Sequence, residues 1–193
     1  MKRKKGLVVC SSICAAVLTI AAFEFTAGPA RATPSSGMTT EFILSPLTGG
    51  KSTFDEININ AKTDRNSVPP TDSNLPKDFW KAQISTKGGA SDLYVVRNTF
   101  MPGGTTGWHT HPGPSLVTVT LGTITVYDGD GPTCTPHVFS AGSTFVDPTS
   151  NNHVHLVRNE IGTTAVTVAV QLVPAGLARR IDVPNPGPCP SIN

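Results

Sequence analysis

The chain has 193 residues, with 15 lysines and arginines against 13 aspartates and glutamates, and a formal net charge of +2. Residues 1–32 hold five of the basic residues and one of the acidic ones, so the other 161 residues carry a net charge of −2. No stripe of lysine or arginine remains there to follow a phosphate backbone, so nucleic acid is excluded as an expected partner. The length fits one domain.

Residues 1–32 have the three parts of a secretory signal peptide. A basic segment at residues 1–5 precedes the apolar residues 6–23, and Ala30 and Ala32 supply the small residues that a signal peptidase reads. The sequence therefore predicts cleavage after Ala32 and a secreted, extracellular protein that is not associated with a membrane afterwards. A retained N-terminal anchor is the alternative, since 18 mostly apolar residues could just span a bilayer.

Two cysteines, Cys134 and Cys189, remain after residue 32. In an exported protein two cysteines most simply form a disulfide. Cys189 lies in a Pro-rich C-terminal tail, residues 184–193, which the bridge would hold against the body of the domain. Thiolate ligation of a metal is the alternative, although neither cysteine belongs to a C-x-x-C pair.

After the signal, the chain divides into an N-terminal extension at residues 33–90, a β-barrel at 91–183 and the tail. Two short edge strands at 41–44 and 52–60, a loop at 61–77 and a strand at 80–86 are predicted in the extension. Alternating β-branched residues in the barrel predict strands at residues 93–100, 115–121, 123–127, 136–139, 143–146, 153–157 and 165–173. Short strands with a turn signal about every 8 to 12 residues are typical of an all-β sandwich or barrel.

Four of the five histidines form two H-x-H pairs, His109 with His111 and His153 with His155. On a strand, residues i and i+2 point to the same face, so each pair directs two imidazoles in one direction. A divalent metal needs several neutral nitrogens that converge on a point about 2.1 Å from each. The pairs therefore predict a metal site, with incidental surface pairs as the alternative. His137 stands apart from both pairs and is predicted to be an ordinary strand residue.

The residues around the first pair resemble the first sequence motif of the cupin superfamily. That motif reads Gly, five residues, His-x-His, three or four residues, Glu, six residues and Gly. This chain has Gly103, His109, His111, Ser115 and Gly122 at the corresponding positions, so that serine stands where glutamate is usual.

The second pair resembles the second cupin motif, which reads Gly, five residues, Pro-x-Gly, two residues, His, three residues and Asn. Gly142, Pro148, His155 and Asn159 match it, with Ser150 in place of the middle glycine. Two extra residues separate Ser150 from His155. The position of Asn159 is assigned to turn structure.

The resemblance extends over about residues 93–173 and implies a single-domain, cupin-type jelly-roll β-barrel, also called a double-stranded β-helix. It implies that His109, His111 and His155 bind a divalent metal ion, with Fe, Mn, Zn, Ni and Cu all open. His153 matches no family position. It could line the cavity, replace His155 as a ligand, or add a fourth nitrogen.

Ser115 is the departure that bears most on function, because a hydroxyl is a far poorer ligand than a carboxylate. By resemblance it lines the cavity beside an all-histidine site with open positions for water or substrate. Two functions follow: a metal-dependent, dioxygenase-like oxidoreductase that acts on a small molecule, or a non-catalytic module that captures a metal or small ligand. A purely structural domain is the third alternative. No catalytic residue is identified, and a homodimer is expected by resemblance alone.

Four further residues receive structural interpretations from the sequence. Trp108 faces away from His109 in strand alternation and is predicted to pack. Asp92, Asp147 and Glu160 are isolated carboxylates in the sequence, and their expected place is a solvated loop.

Overall fold

The computed structural model describes residues 31–44, 49–64, 74, 77–147, 153–187 and 189. Almost the whole signal peptide predicted at residues 1–32 lies outside these ranges, as do Pro148 and Ser150 of the second motif. The secondary structure of the described residues consists of strands, and none of these residues forms a helix with the length and apolar character needed to cross a membrane.

Thirteen strands follow one another along the described chain. The extension contains β1 (Ser36–Phe42), β2 (Lys51–Phe54), β3 (Asn58–Asp64) and β4 (Asp78–Ser85). The remaining strands are β5 (Ser91–Thr105), β6 (His109–Thr110), β7 (Ser115–Leu121), β8 (Thr123–Asp128), β9 (Pro136–Ser140), β10 (Thr144–Asp147), β11 (His155–Arg158), β12 (Ala165–Pro174) and β13 (Ile181–Asp182).

The strands of the barrel confirm the predicted set, whereas the extension departs from it. The single strand predicted at residues 52–60 is wrong, because residues 55–57 separate β2 from β3. The loop predicted from residue 61 begins later, since β3 continues to Asp64. β6 and β13 were not predicted, because strands of two residues show no alternation.

Eleven of the thirteen strands belong to one antiparallel sheet with the order β10-β7-β12-β5-β11-β6-β13. β1 and β2 pair with β5, and β8 pairs with β11 and β9, while β3 and β4 form a separate hairpin. β5 pairs with β12 over ten residues and reaches β11 near its own C-terminal end, so that the sheet folds back on itself. This nearly closed sheet confirms the all-β barrel.

The interior of the barrel is apolar towards one end and polar towards the other. Every second residue of β12 is buried, and its inward series runs from Ala165 through Thr167 to Gln171. Ala165 packs with Phe100 in the largest apolar cluster, which also contains Val119, Ile124, Val126 and Val157. Gln171 lies opposite Ser115 of β7, and the candidate site is at that polar end.

A second apolar cluster lies against the tail. Trp108 is fully buried and packs with Tyr127, Leu156 and Cys189, which confirms its packing role. Cys189 forms a disulfide with Cys134, with 5.3 Å between the two Cα atoms. The bridge holds the described part of the tail against the barrel, as the sequence predicted.

Two glycines of the first motif have positive φ angles, 76° at Gly103 and 71° at Gly122. This left-handed region is accessible to glycine without steric cost. At Gly122 a Cβ atom would also lie 2.7 Å from the carbonyl oxygen of Thr164. The turn from β7 to β8 therefore requires glycine at this position.

Candidate metal centre

The structure brings His109, His111 and His155 together at the polar end of the barrel. His109 of β6 pairs directly with His155 of β11, and their ring centroids are 4.2 Å apart. The ring of His111 lies 4.8 Å from that of His109 and 5.3 Å from that of His155. One ligand nitrogen from each residue lies within 4.8 Å of the other two. These three side chains can hold a metal ion.

Hydrogen bonds orient two of the three imidazoles. Nδ1 of His109 lies 2.9 Å from the carbonyl oxygen of Gly107, and Nδ1 of His111 lies 2.6 Å from that of Arg179. Because a carbonyl oxygen only accepts, each Nδ1 carries the proton and donates it. The lone pair of each Nε2 is therefore available to a metal, and the ring is held in place by its other nitrogen.

Asp147, the last residue of β10, lies beside the histidine cluster. Its Oδ2 is 3.3 Å from Nε2 of His111 and 3.4 Å from Nε2 of His155. The residue is only 7% exposed, and Oδ2 has no hydrogen-bond partner among the described residues. The expectation of a solvated loop residue is therefore wrong. Period-two alternation from the inward-facing Phe145 would have placed Asp147 inside, but the predicted strand stopped one residue earlier.

Burial controls the protonation of all four groups. It lowers the pKa of His109 and of His155 well below the usual range, and it lowers the pKa of His111 to about 4. It raises the pKa of Asp147 to about 7. The three imidazoles are thus neutral at physiological pH. The Asp147 carboxyl group lies where burial disfavours its ionised form. Three nitrogens and one carboxylate oxygen are a donor set that suits divalent transition metals.

His153 lies next to this cluster but faces another way. Its ring stacks on that of His155, with centroids 5.4 Å apart and planes at 16°. Its Nδ1 is 2.6 Å from Oδ2 of Asp130, and its Nε2 is 3.4 Å from Oδ1 of Asp128 and 3.7 Å from Oδ1 of Asp147. His153 is therefore not part of the three-histidine group, although with Asp147 and His155 it forms a second group that could hold an ion.

Ser115 lines the cavity, but a neighbouring amide occupies its hydroxyl group. The side chain is buried, and Oγ accepts a hydrogen bond from Nε2 of Gln171 at 2.9 Å. Oε1 of Gln171 in turn accepts from Nη1 of Arg179 at 3.0 Å. The serine at the position of the motif glutamate is thus linked through the neutral amide of Gln171 to the guanidinium of Arg179.

The cavity in front of the histidines has a volume of about 140 Å³. Its polar lining includes the three histidines, Ser115 and Asp147, and two arginines of the C-terminal segment, Arg179 and Arg180. Its apolar lining consists of Met38, Phe100, Val117, Phe145, Val157 and Ala169. Its mixture of polar and apolar lining suits a small organic molecule.

Asn159 and His137 have the structural roles that the sequence predicted. Asn159 is fully buried, and its amide donates to the carbonyl oxygens of Phe100 and Thr163 at 3.1 and 2.7 Å. It therefore holds the turn after β11. His137 is half-exposed on β9, and its Nε2 lies 3.5 Å from a carboxylate oxygen of Asp128.

The solvated position expected for Asp92 is wrong. Asp92 is fully buried on β5, where its carboxylate accepts hydrogen bonds from Nζ of Lys51 at 2.5 Å and from Oγ1 of Thr53 at 2.7 Å. Both partners are on β2, about 40 residues earlier in the chain, so a local pattern could not reveal them. Glu160 is exposed as expected and accepts a hydrogen bond from the hydroxyl of Tyr127.

Residues 96–170, which contain both histidine pairs, match the sequence model of the family described as "Cupin domain". No curated protein matches the chain in sequence. A cupin domain from Bordetella pertussis Tohama I is 26% identical over 42% of this chain and 80% of its own, with a TM-score of 0.36. The polyketide cyclase RemF from Streptomyces resistomycificus is 12% identical over 78% and 82% of the two chains, with a TM-score of 0.44. An oxalate oxidase in complex with the substrate analogue glycolate is 22% identical over 69% and 55%, with a TM-score of 0.41.

Proposed function

This chain is a member of the cupin superfamily, and on that premise we propose that its barrel binds one divalent transition-metal ion through His109, His111 and His155. The observation that carries the proposal is the arrangement of three buried imidazoles whose ligand nitrogens lie within 4.8 Å of one another. Burial keeps all three neutral, which is the protonation state that ligates a metal.

We assign the fourth protein ligand to Asp147. Its Oδ2 lies at nearly equal distances, 3.3 and 3.4 Å, from Nε2 of His111 and of His155. A buried carboxylate oxygen without a hydrogen-bond partner is costly unless a cation compensates it. An ion at this point supplies that charge, and Asp147 then provides the carboxylate that Ser115 cannot.

We propose that the metal site acts on a small organic molecule as an oxidoreductase of the dioxygenase type. An ion such as Fe or Mn supplies redox chemistry at such a site, and open coordination positions admit substrate. The carbonyl oxygens of Gly107 and Arg179 position His109 and His111, and Phe100 belongs to the apolar wall of the cavity. Hydrolysis is the less favoured chemistry, because Ser115 supplies no acid–base group at the motif position.

A non-catalytic module that captures a metal or small ligand is the second candidate. The observation in its favour is the hydrogen bond between Ser115 and Gln171, which occupies the motif position with neutral groups. Bound zinc without turnover of any small molecule would be the expected behaviour of such a module.

We further propose that the protein works outside the cytosol. The predicted signal at residues 1–32 and the disulfide between Cys134 and Cys189 support this location, since disulfides persist mainly in oxidising compartments. Mass spectrometry of the exported protein should find a chain that begins at Thr33. A product that keeps Met1 would contradict the proposed cleavage.

The metal content of the untagged protein tests the central proposal. We expect close to one equivalent of a transition metal in the native protein and its loss in the double variant His109→Ala, His111→Ala. His137→Ala is the matched control, because it removes a half-exposed imidazole outside the cluster and should retain the metal. Iron or manganese with oxygen consumption in the presence of a substrate supports the oxidoreductase, and zinc without turnover supports the binding module. A native protein that binds no metal contradicts both.

A further inference from the structure

We propose that the cavity takes a small organic carboxylate, with the guanidinium of Arg179 binding the carboxylate group and the apolar wall holding the rest of the molecule. The inference deepens the proposed metal-site function and rests on it for where the molecule would react. The charge and the surfaces of the cavity define this substrate class.

The segment that carries Arg179 is fixed to the mouth of the barrel at several points. The amide of Gly176 donates to Oδ2 of the buried Asp92 at 3.1 Å. The carbonyl oxygen of Arg179 accepts from Nδ1 of His111, and directly afterwards β13 pairs with β6, with Ile181 opposite Thr110. Arg179 is thus positioned by the same strands that position the histidines, which is what a binding residue requires.

The charge of Arg179 is not compensated by any acidic group of the described residues. Its Nη1 donates to the neutral Oε1 of Gln171, and its guanidinium lies 5.2 Å from the centroid of the Phe42 ring. Arg180, beside it, differs: it forms an ion pair with Asp182 at 2.6 Å and donates to the carbonyl oxygen of Thr106. One of the two guanidiniums therefore lines the cavity with its full charge.

A half-buried guanidinium without an anion is a favourable site for one. The planar fork of a guanidinium matches the two oxygens of a carboxylate in a bidentate pair. An anion bound to Arg179 would restore the charge balance of this part of the cavity.

The guanidinium is also close to the metal ligands. Gln171 accepts from Arg179 with its oxygen, while its Nε2 lies 2.9 Å from Oγ of Ser115 and 3.4 Å from Nδ1 of His111. A single amide group therefore separates Arg179 from the histidine cluster. Arg179 and the three histidines line the same cavity, so a molecule held by Arg179 would lie beside the proposed metal site.

The other walls of the cavity define the rest of the molecule. Phe100, Phe145 and Val157 belong to its apolar lining, and Phe145 stacks on Phe139 with ring centroids 4.7 Å apart. Such walls suit an apolar or aromatic body. One uncompensated guanidinium balances the single charge of a carboxylate, whereas a phosphate ester carries up to two, so we commit to a carboxylate rather than a phosphate ester.

Calorimetric titration of the native protein with three probes tests the inference. Benzoate represents the class, benzamide is its neutral isostere, and inorganic phosphate represents the competing anion. Each is titrated into the metal-free protein and into the zinc-loaded protein. We expect benzoate to bind at least about 10-fold more tightly than benzamide, because only the carboxylate forms a charge-assisted pair.

Variants locate the binding. Arg179→Gln should weaken benzoate binding about 10-fold or more in both forms of the protein, and Arg179→Lys should weaken it less. Arg97→Gln is the matched control, because Arg97 pairs with Glu41 on the exposed face and lies outside the cavity. It should leave the affinity for benzoate unchanged.

The outcomes separate this inference from the metal function. Equal affinity for benzoate and benzamide, tighter binding of phosphate, or unchanged binding in Arg179→Gln would overturn the carboxylate site. Benzoate binding that requires zinc and not Arg179 would also overturn it and leave the metal function intact. Arg179-dependent binding in a protein that takes up no metal would support the carboxylate site while contradicting the metal function. The comparison of benzoate with benzamide in the native chain stays decisive if Arg179→Gln fails to fold.

Discussion

Ser115 and Asp147 lie directly opposite each other on the antiparallel strands β7 and β10. Residues opposite each other share one face of the sheet, with Cβ atoms about 5 Å apart, so both side chains enter the same cavity. Gln171 lies opposite Ser115 on its other side, where it donates to the serine hydroxyl. The carboxylate that is missing at Ser115 is therefore present one strand further along the same row.

This relationship predicts that Asp147 is needed for metal affinity. Asp147→Asn keeps the shape of the side chain and removes its charge, and we expect metal affinity to fall about 10-fold or more. Adding Ser115→Glu to that variant should restore much of the loss, because it places a carboxylate at the opposite position of the row. Competition with a chelator of known affinity measures the metal affinity of the native protein and of the two variants.

Asp128→Asn is the control for this pair of variants. Asp128 is half-exposed and lies near His153, outside the three-histidine group. It should leave metal affinity nearly unchanged. If Asp147→Asn binds metal as tightly as the native protein does, Asp147 is not a ligand.

The second prediction concerns His153, which the sequence could not assign. Because its Nδ1 faces Asp130 and its Nε2 lies nearer to Asp128 than to Asp147, we expect His153→Ala to keep its metal with an affinity within a few-fold of native. His155→Ala, two residues away, should lose the metal. Equilibrium dialysis against the same ion compares the two variants, and an equal loss in both would place His153 among the ligands.

The three-histidine group was predictable because its information is local. The spacing of His109 and His111 and the position of His155 within its motif are properties of short segments, and strand alternation translates them into directions. Strands β7 and β12 were predicted well for the same reason, since buried and exposed residues alternate along them.

The roles of Asp92 and Arg179 were not predictable, because they depend on partners far away in the chain. For Asp147, strand alternation gives the inward direction of the side chain but not its partners. Asp92 finds Lys51 only when β2 pairs with β5, and Arg179 reaches the cavity only when β13 returns to β6. The register of β10 against β7 decides that Asp147 faces Ser115. Such pairings are properties of the folded sheet and leave no pattern in a window of sequence.

The third prediction concerns the disulfide between Cys134 and Cys189. The bridge closes a segment of 55 residues and packs against Trp108 and Tyr127. The double variant Cys134→Ser, Cys189→Ser should lose about 2 to 4 kcal/mol of unfolding free energy, chiefly because the unfolded chain becomes less restricted. Urea denaturation of the oxidised native protein, the reduced native protein and the variant measures this. The reduced native protein and the variant should have the same unfolding free energy. A reduced protein as stable as the oxidised one would contradict the prediction.

The last prediction is a pH dependence that originates at Asp92. Burial raises the pKa of this carboxyl, but the hydrogen bonds from Lys51, Thr53 and Gly176, with the charge of Lys51, outweigh burial, and the net pKa lies below the ordinary 3.8. A pKa lower in the folded than in the unfolded state gives stability that is fully present above about pH 4 and is lost as the pH falls through the folded-state pKa. Asp92→Asn should therefore cost about 1 to 3 kcal/mol of unfolding free energy at pH 7. Urea denaturation of the metal-free proteins should show this gap shrinking towards pH 3, whereas Asp55→Asn, an exposed carboxylate, should show no comparable change. A gap of equal size at both pH values would mean that the ionised form of Asp92 contributes nothing to stability beyond its shape.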